Sequence, residues 1–149
     1  MIVVALLAAA APPALAGPHG SAGAGGALVL TGDGGDRLRL DAAVDVKLGR
    51  RLGALAAWRA FDEGHRGLAM AGLVFEAGAA RPRLVLDLHA DLGADLDAGA
   101  PLAGGGIRTT LAIAGPLGVV LDSGGYLVID GLDRTRLQLQ GSASLAARW

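Results

Sequence analysis

His89 sits between Asp87 and Asp91 in the run LVLDLHADL, with all three on alternate positions. A carboxylate two residues away can orient an imidazole for general-base work, and Ser142 and Ser144 are hydroxyls that such a base could activate. No motif ties either serine to His89, so the set reads first as part of an ion-pair network. Asp91, Asp95 and Asp97, in DLGADLD, cluster the carboxylates that hard cations want. The run lacks the glycine and terminal glutamate of a Ca²⁺ loop, however, and reads as a solvated acidic loop. Gly104-Gly105-Gly106 leads into a strand rather than a helix, so it is not a phosphate cradle. His19 and His65 stand in polar stretches without partners at metal spacing. Cysteine is absent, which removes disulfides, thiolate metal sites and Cys nucleophiles. The sequence assigns no catalytic residue, no metal and no cofactor, and it does not read as an enzyme.

The elements that must hold these residues are strands. The 149 residues suit one domain, and 52% are hydrophobic although there are only two Trp, two Phe and one Tyr. The net charge of -1 excludes the basic excess of a nucleic-acid binder. Residues 1–16 (MIVVALLAAAAPPALA) form an apolar run closed by an A-x-A site, as a secretory signal peptide does, with cleavage before Gly17. The run is shorter than the ~20 apolar residues of a spanning helix. It opens without the usual Lys or Arg, as expected either of a start assigned too late, the favoured reading, or of an N-terminal anchor. Residues 17–26 (GPHGSAGAGG) read as a flexible leader, and 27–149 as the folded domain.

Within that domain the apolar period is two. Ala27–Thr31 is a short strand. In Arg37–Leu48, Leu38, Leu40, Ala42, Val44, Val46 and Leu48 alternate with Arg37, Arg39, Asp41, Asp45 and Lys47. Arg51–Phe61 also fits helical spacing through Leu52, Leu55 and Trp58, but it lacks a cap and reads as a strand by context. Gly67–Ala77 follows, then a turn at Gly78–Arg81. In Pro82–Leu92, Leu84, Leu86, Leu88, Ala90 and Leu92 oppose Arg83, Val85, Asp87, His89 and Asp91. Gly93–Gly105 is predicted to be a long loop before Ile107–Ala114. Leu117–Ile129 is a strand interrupted at Ser123-Gly124-Gly125, and Arg136–Trp149 closes the chain. The expectation is an all-β, antiparallel up-and-down β-barrel of about eight strands after an N-terminal signal peptide. Its turns are short after strands two, four and six and its connections longer after one, three and five.

Alternation alone leaves two arrangements open. In a soluble periplasmic barrel that binds an apolar ligand, the leucine face points inward. In a membrane barrel it meets lipid. The last strand, RLQLQGSASLAARW, resembles that of bacterial outer-membrane β-barrels, which ends in an aromatic after alternating apolar residues. Leu139, Ala143, Leu145, Ala147 and Trp149 carry the resemblance; the family often has a second aromatic where Ala147 stands. It implies an outer-membrane location, with lipid and the barrel-assembly machinery as partners and the last strand as the assembly signal. It also implies a structural or surface-interaction role, with an extracellular ligand met by residues 93–105. Some members are lipid-modifying hydrolases using a His and a Ser, which keeps His89 as a third reading. The aromatic girdle is sparse: Phe75 and Trp149 fall toward the periplasmic rim, Trp58 toward the outer one, and Tyr126 on the polar face.

An eight-stranded barrel is just wide enough to be filled by side chains. The predicted lumen charge network is Arg39, Asp41, Asp45, Arg83, Asp87, His89, Arg108, Asp122 and Arg136. Arg37, Lys47, Arg59, Arg148, Asp91 and Asp130 are further inward candidates. Near-balanced charges would pair there and plug the lumen, since an unpaired buried charge is costly.

Overall fold

The protein is seen in a computed structural model that describes residues 18–31, 37–48, 51–60, 67–81, 83–131 and 134–149. Residues 1–16, expected to be a signal peptide, lie outside the described residues, as do Phe61 and His65. Eight strands run in chain order: β1 (His19–Thr31), β2 (Arg37–Lys47), β3 (Leu52–Ala60), β4 (Leu68–Arg81), β5 (Leu84–Asp95), β6 (Ala100–Ala114), β7 (Leu117–Ile129) and β8 (Thr135–Arg148). Each pairs antiparallel with its neighbours, and β1 pairs with β8, so the sheet is a closed barrel.

Period two dictates which side chains enter. Along β5, Asp87, His89 and Asp91 are buried while Leu88, Ala90 and Leu92 are exposed. Around the ring the leucine face is outside and the polar face inside: Leu40 and Leu92 are each 71% exposed, whereas Asp87 is 1% exposed. This overturns the soluble arrangement with the leucines turned in. The helical alternative for Arg51–Phe61 also fails, because β3 buries Leu55 and exposes Leu52 and Trp58.

The register sets the shape. Followed from Ser21 through Asp45, Leu55, Gly72, Asp91, Gly104, Tyr126 and Gln138, it returns to β1 at Thr31, ten residues beyond its start. With ordinary strand spacing and rise, a stagger of this size tilts eight strands by about 41° and gives a backbone cylinder of radius about 8 Å.

Small residues carry the differences from the sequence reading. Residues 19–26, expected in a flexible leader, belong to β1, which pairs with β8 from Ser21 to Thr31. The glycines are there for space. Gly25 lies in register with Asp41 on one side and Ser144 on the other, and the Ser144 hydroxyl donates to Asp41 at 3.0 Å. The long loop expected at 93–105 is only the turn Leu96–Gly99; Gly93–Asp95 continue β5 and Ala100–Gly105 begin β6. Asp95 Oδ1 accepts the backbone N–H groups of Asp97 and Ala98, both at 3.1 Å. Gly99, at φ +66°, completes the reversal in a conformation that L side chains rarely adopt. The turn expected at Gly78–Arg81 is strand with two register shifts, and such bulges let a barrel edge bend. Nor is β7 interrupted at Ser123-Gly124-Gly125, which pairs in unbroken register with Gly141–Leu139 of β8.

Tyr126 shows why glycines gather on β6 and β7. A Cβ on Gly104 would stand 2.6 Å from Tyr126 Cδ1, and one on Gly124 would stand 3.0 Å from Cε2. The ring therefore occupies the room that two missing side chains leave. Gly104→Val should lower the stability of the barrel by about 1–3 kcal/mol through overpacking, read as a lower urea midpoint of the folded form.

Candidate functional site: the barrel interior

The interior is built from inward positions of all eight strands. Arg59 of β3 is 2% exposed and is the largest fully buried side chain among the described residues. Its Nε lies 2.8 Å from Asp41 Oδ1 of β2, and its Nη2 lies 3.2 Å from Asp122 Oδ1 of β7. Its Nη1 donates to Gln140 of β8, whose amide donates to Gln138 Oε1 at 3.3 Å. A planar guanidinium with several donors suits this junction, because it reaches three strands at once.

Asp122 is the second junction. Its Oδ2 lies 3.5 Å from His89 Nε2 and 3.7 Å from Arg108 Nη1. On the other side of the imidazole, His89 Nδ1 is 2.6 Å from Asp91 Oδ2, which also accepts the Tyr126 hydroxyl at 2.9 Å. Arg108 Nη2 lies 3.2 Å from Asp45 Oδ1 and donates to Ser21 Oγ at 3.3 Å. The Ser21 hydroxyl in turn donates to Asp45 at 2.5 Å. Nearer the chain termini, Lys47 Nζ meets Asp87 at 2.8 Å and Glu76 at 3.7 Å, and His19 Nε2 is 3.5 Å from Glu76.

These groups comprise three permanent cations (Lys47, Arg59, Arg108) and six carboxylates (Asp41, Asp45, Glu76, Asp87, Asp91, Asp122). Neutral donors make up part of the difference. Ser21, Ser144 and Tyr126 each give a hydroxyl to a carboxylate, which lowers the cost of desolvating it. At the end opposite the termini the filling turns apolar: Leu68, Met70, Ala100, Leu102, Tyr126 and Val128 pack into one buried cluster, with Ala57 against it. Side chains thus fill the lumen from the Lys47 end to the Val128 end.

The fold is similar to that of the de novo designed protein TMB2.3, solved by NMR (TM-score 0.56, 15% identity, 89% of this chain and 95% of that one). It also aligns with Ail, the attachment invasion locus protein of Yersinia pestis, solved with the heparin analogue sucrose octasulfate (TM-score 0.49, 13% identity, 91% and 100%). A third alignment is with Neisserial surface protein A (TM-score 0.46, 13% identity, 90% and 98%). No protein-family model matches the chain, and no curated protein matches it. This is a small eight-stranded antiparallel barrel.

Of the nine residues expected to line the lumen, Asp41, Asp45, Asp87, His89, Arg108 and Asp122 are buried inside it. Arg83 is exposed in the turn before β5, and Arg136 is partly buried in β8. Arg39 pairs through its backbone with Ala27; its side chain lies outside the described residues. Asp130, a further candidate, is exposed past the end of β7. In the last strand, Leu139, Ala143, Leu145 and Ala147 face outward, and Trp149 exchanges backbone hydrogen bonds with Gly20 at 3.1 and 3.2 Å.

The groups that sequence reading left out have identifiable reasons. Ser21 stood in the presumed leader, and Glu76 in a strand with no polar face. Arg59 and Lys47 were expected inside and Tyr126 on the polar face, where all three are buried, but parity named none of their partners. The hydroxyls offered to His89 are not beside it: Ser144 bonds Asp41, and among the described residues no serine hydroxyl contacts the imidazole. No group of three or more acidic or His side chains among the described residues is arranged to hold a metal ion.

Replacing Arg59 with leucine should cost about 3–5 kcal/mol, because Asp41 and Asp122 would lose their shared cation while staying buried. Restoring neutrality with Asp122→Asn in the same chain should recover part of that loss, measured by equilibrium unfolding of the single and double variants.

Proposed function

We propose that the protein is an outer-membrane β-barrel with a structural role in the bilayer, its lumen closed by its own side chains. One observation carries this reading. Among the residues whose side chains are described, no outward strand position bears an ionisable group. The hydroxyls of Thr109, Ser123 and Thr135 are the polar groups there, and twenty-three large apolar side chains are exposed, Leu73, Leu121, Leu137 and Leu145 among them. A soluble monomer usually leaves a largest apolar patch of about 300–600 Å², whereas this belt circles the whole barrel. Strands of 9–15 residues meet the ~9–11 residues that a tilted spanning strand requires.

The end with the chain termini and the tight Gly115-Pro116 turn then faces the periplasm. There β8 presents its outward apolar row and Trp149 to the barrel-assembly machinery as the assembly signal, following the resemblance of the last strand. The short turn at Leu96–Gly99 offers little surface to an extracellular ligand, which favours a structural role over a receptor role. The Arg59–Asp122 belt and the Leu68–Val128 cluster favour a closed lumen over a channel.

Expressed with its leader in a Gram-negative host, the protein should fractionate with the outer membrane and migrate faster on gels before boiling than after. Recovery in the soluble periplasm, with unchanged mobility, would overturn the reading. Leu88→Arg, on the outward face of β5, should cost about 2–4 kcal/mol near the midplane, while Leu88→Ala should insert normally. Planar bilayers holding the purified barrel should show no discrete conductance steps.

A further inference from the structure

Among the described residues, the two ends of the barrel differ in charge. At the end where the termini meet, Arg51 and Arg83 are exposed in the turns before β3 and β5, and Arg148 closes β8. The turns are held by the barrel itself: the Arg51 carbonyl accepts the Glu76 N–H at 2.7 Å, and the Arg83 carbonyl accepts the Ala112 N–H at 2.7 Å. Glu76 is the carboxylate side chain nearest this rim among the described residues, and it is engaged by Lys47 and His19. No described carboxylate pairs with Arg51, Arg83 or Arg148. At the opposite end Asp95, Asp97 and Asp130 stand with Arg134 and Arg136, so both signs are present there.

The arginines also lie at a definite depth. Leu48, Leu52, Ile113, Leu117 and Trp149 are all exposed at this same end, and they mark where the apolar belt stops. The Trp149 ring lies against Gly20, since a Cβ there would stand 3.0 Å from its Cζ2, and an amphipathic indole settles at the headgroup level of a bilayer. Arg51 and Arg83 therefore stand where apolar wall gives way to lipid headgroups, a guanidinium matches a phosphate in a bidentate pair, and among the described residues no side-chain carboxylate pairs with either. We propose that this rim binds the phosphates of anionic phospholipid headgroups in the leaflet around the chain termini, with Arg51 and Arg83 as the principal contacts. This rests on the membrane reading above. Among the described residues this end exposes arginines and no carboxylate side chain, so the rim favours the orientation that sets it against an anionic leaflet.

The test uses the full-length mature barrel, reconstituted into phosphatidylcholine vesicles with and without phosphatidylglycerol. Insertion is scored separately, by heat-modifiable mobility. Spin-labelled phosphatidylglycerol should be enriched over spin-labelled phosphatidylcholine at the protein surface by roughly threefold at low salt, and less at high salt. Arg51→Gln with Arg83→Gln should insert as well as the parent and lose the preference. Failure of the parent to insert would sink the membrane reading and the proposal with it. Normal insertion without headgroup preference, or a preference that survives both substitutions, would overturn the proposal alone. If the double variant lost binding of inorganic phosphate in neutral detergent while its lipid selectivity was unchanged, the rim would be a site for a soluble anion and the lipid assignment would be wrong.

Discussion

Closing eight strands into a ring about 8 Å in radius leaves no room for bulk water at the middle, so every charge inside must be answered by a neighbouring side chain. The structure follows from that constraint. Arg59 reaches Asp41, Asp122 and Gln140, and Asp122 passes the network on to His89 and Arg108. These contacts join strands that are distant in the chain: Ser144 and Asp41 are separated by 103 residues, and Arg108 and Ser21 by 87. A buried ion pair adds little net stability over a well-packed apolar filling, but it penalises every arrangement that separates the partners. In this barrel the polar interior specifies which closure is native, while the apolar cluster at the far end supplies packing.

The same constraint accounts for the two-sided character of the wall. Period-two alternation would serve a water-soluble barrel equally well with its faces exchanged. Here the interior takes charges because they can be paired across a narrow lumen, and on the proposed membrane reading the outside takes leucine, valine and alanine because lipid offers no partner to a polar group. The scarcity of aromatics belongs to this picture. A wall of small and medium residues lets tilted strands lie close, and the one inward aromatic among the described residues, Tyr126, is accommodated by Gly124 of its own strand and Gly104 of β6.

Much of this was legible in the sequence wherever alternation had contrast. Arg37–Leu48, Pro82–Leu92 and the last strand set leucines against charges, so parity alone gave the face of Asp41, Asp45, Asp87, His89, Arg108 and Asp122. It was illegible where both faces are small. Residues 19–26, 93–95 and 100–105 carry turn chemistry by composition, yet they are strand because glycine is what neighbouring backbones and crossing side chains need in a steeply tilted barrel. Leu68 and Met70 face inward on a strand with apolar residues on both sides, so the buried cluster had no signature. Pairing was hidden for another reason: parity fixes a face, but height depends on a stagger of ten residues accumulated around the ring. Arg83 and Asp130 had inward parity and still fall outside the lumen, because they lie past the strand ends.

The glycines and alanines of β1 have one more consequence. A strand so poor in large side chains specifies its own register weakly, and β1 is half of the seam that turns a sheet into a tube. Sliding it by two residues along β8 would keep every small residue facing the way it does now, so the wall would hardly register the error. Ser21 would, because the slide would carry its hydroxyl away from Asp45 and Arg108. One serine at the start of the strand thus acts as the catch of a zipper, engaging only when the two edges meet tooth for tooth.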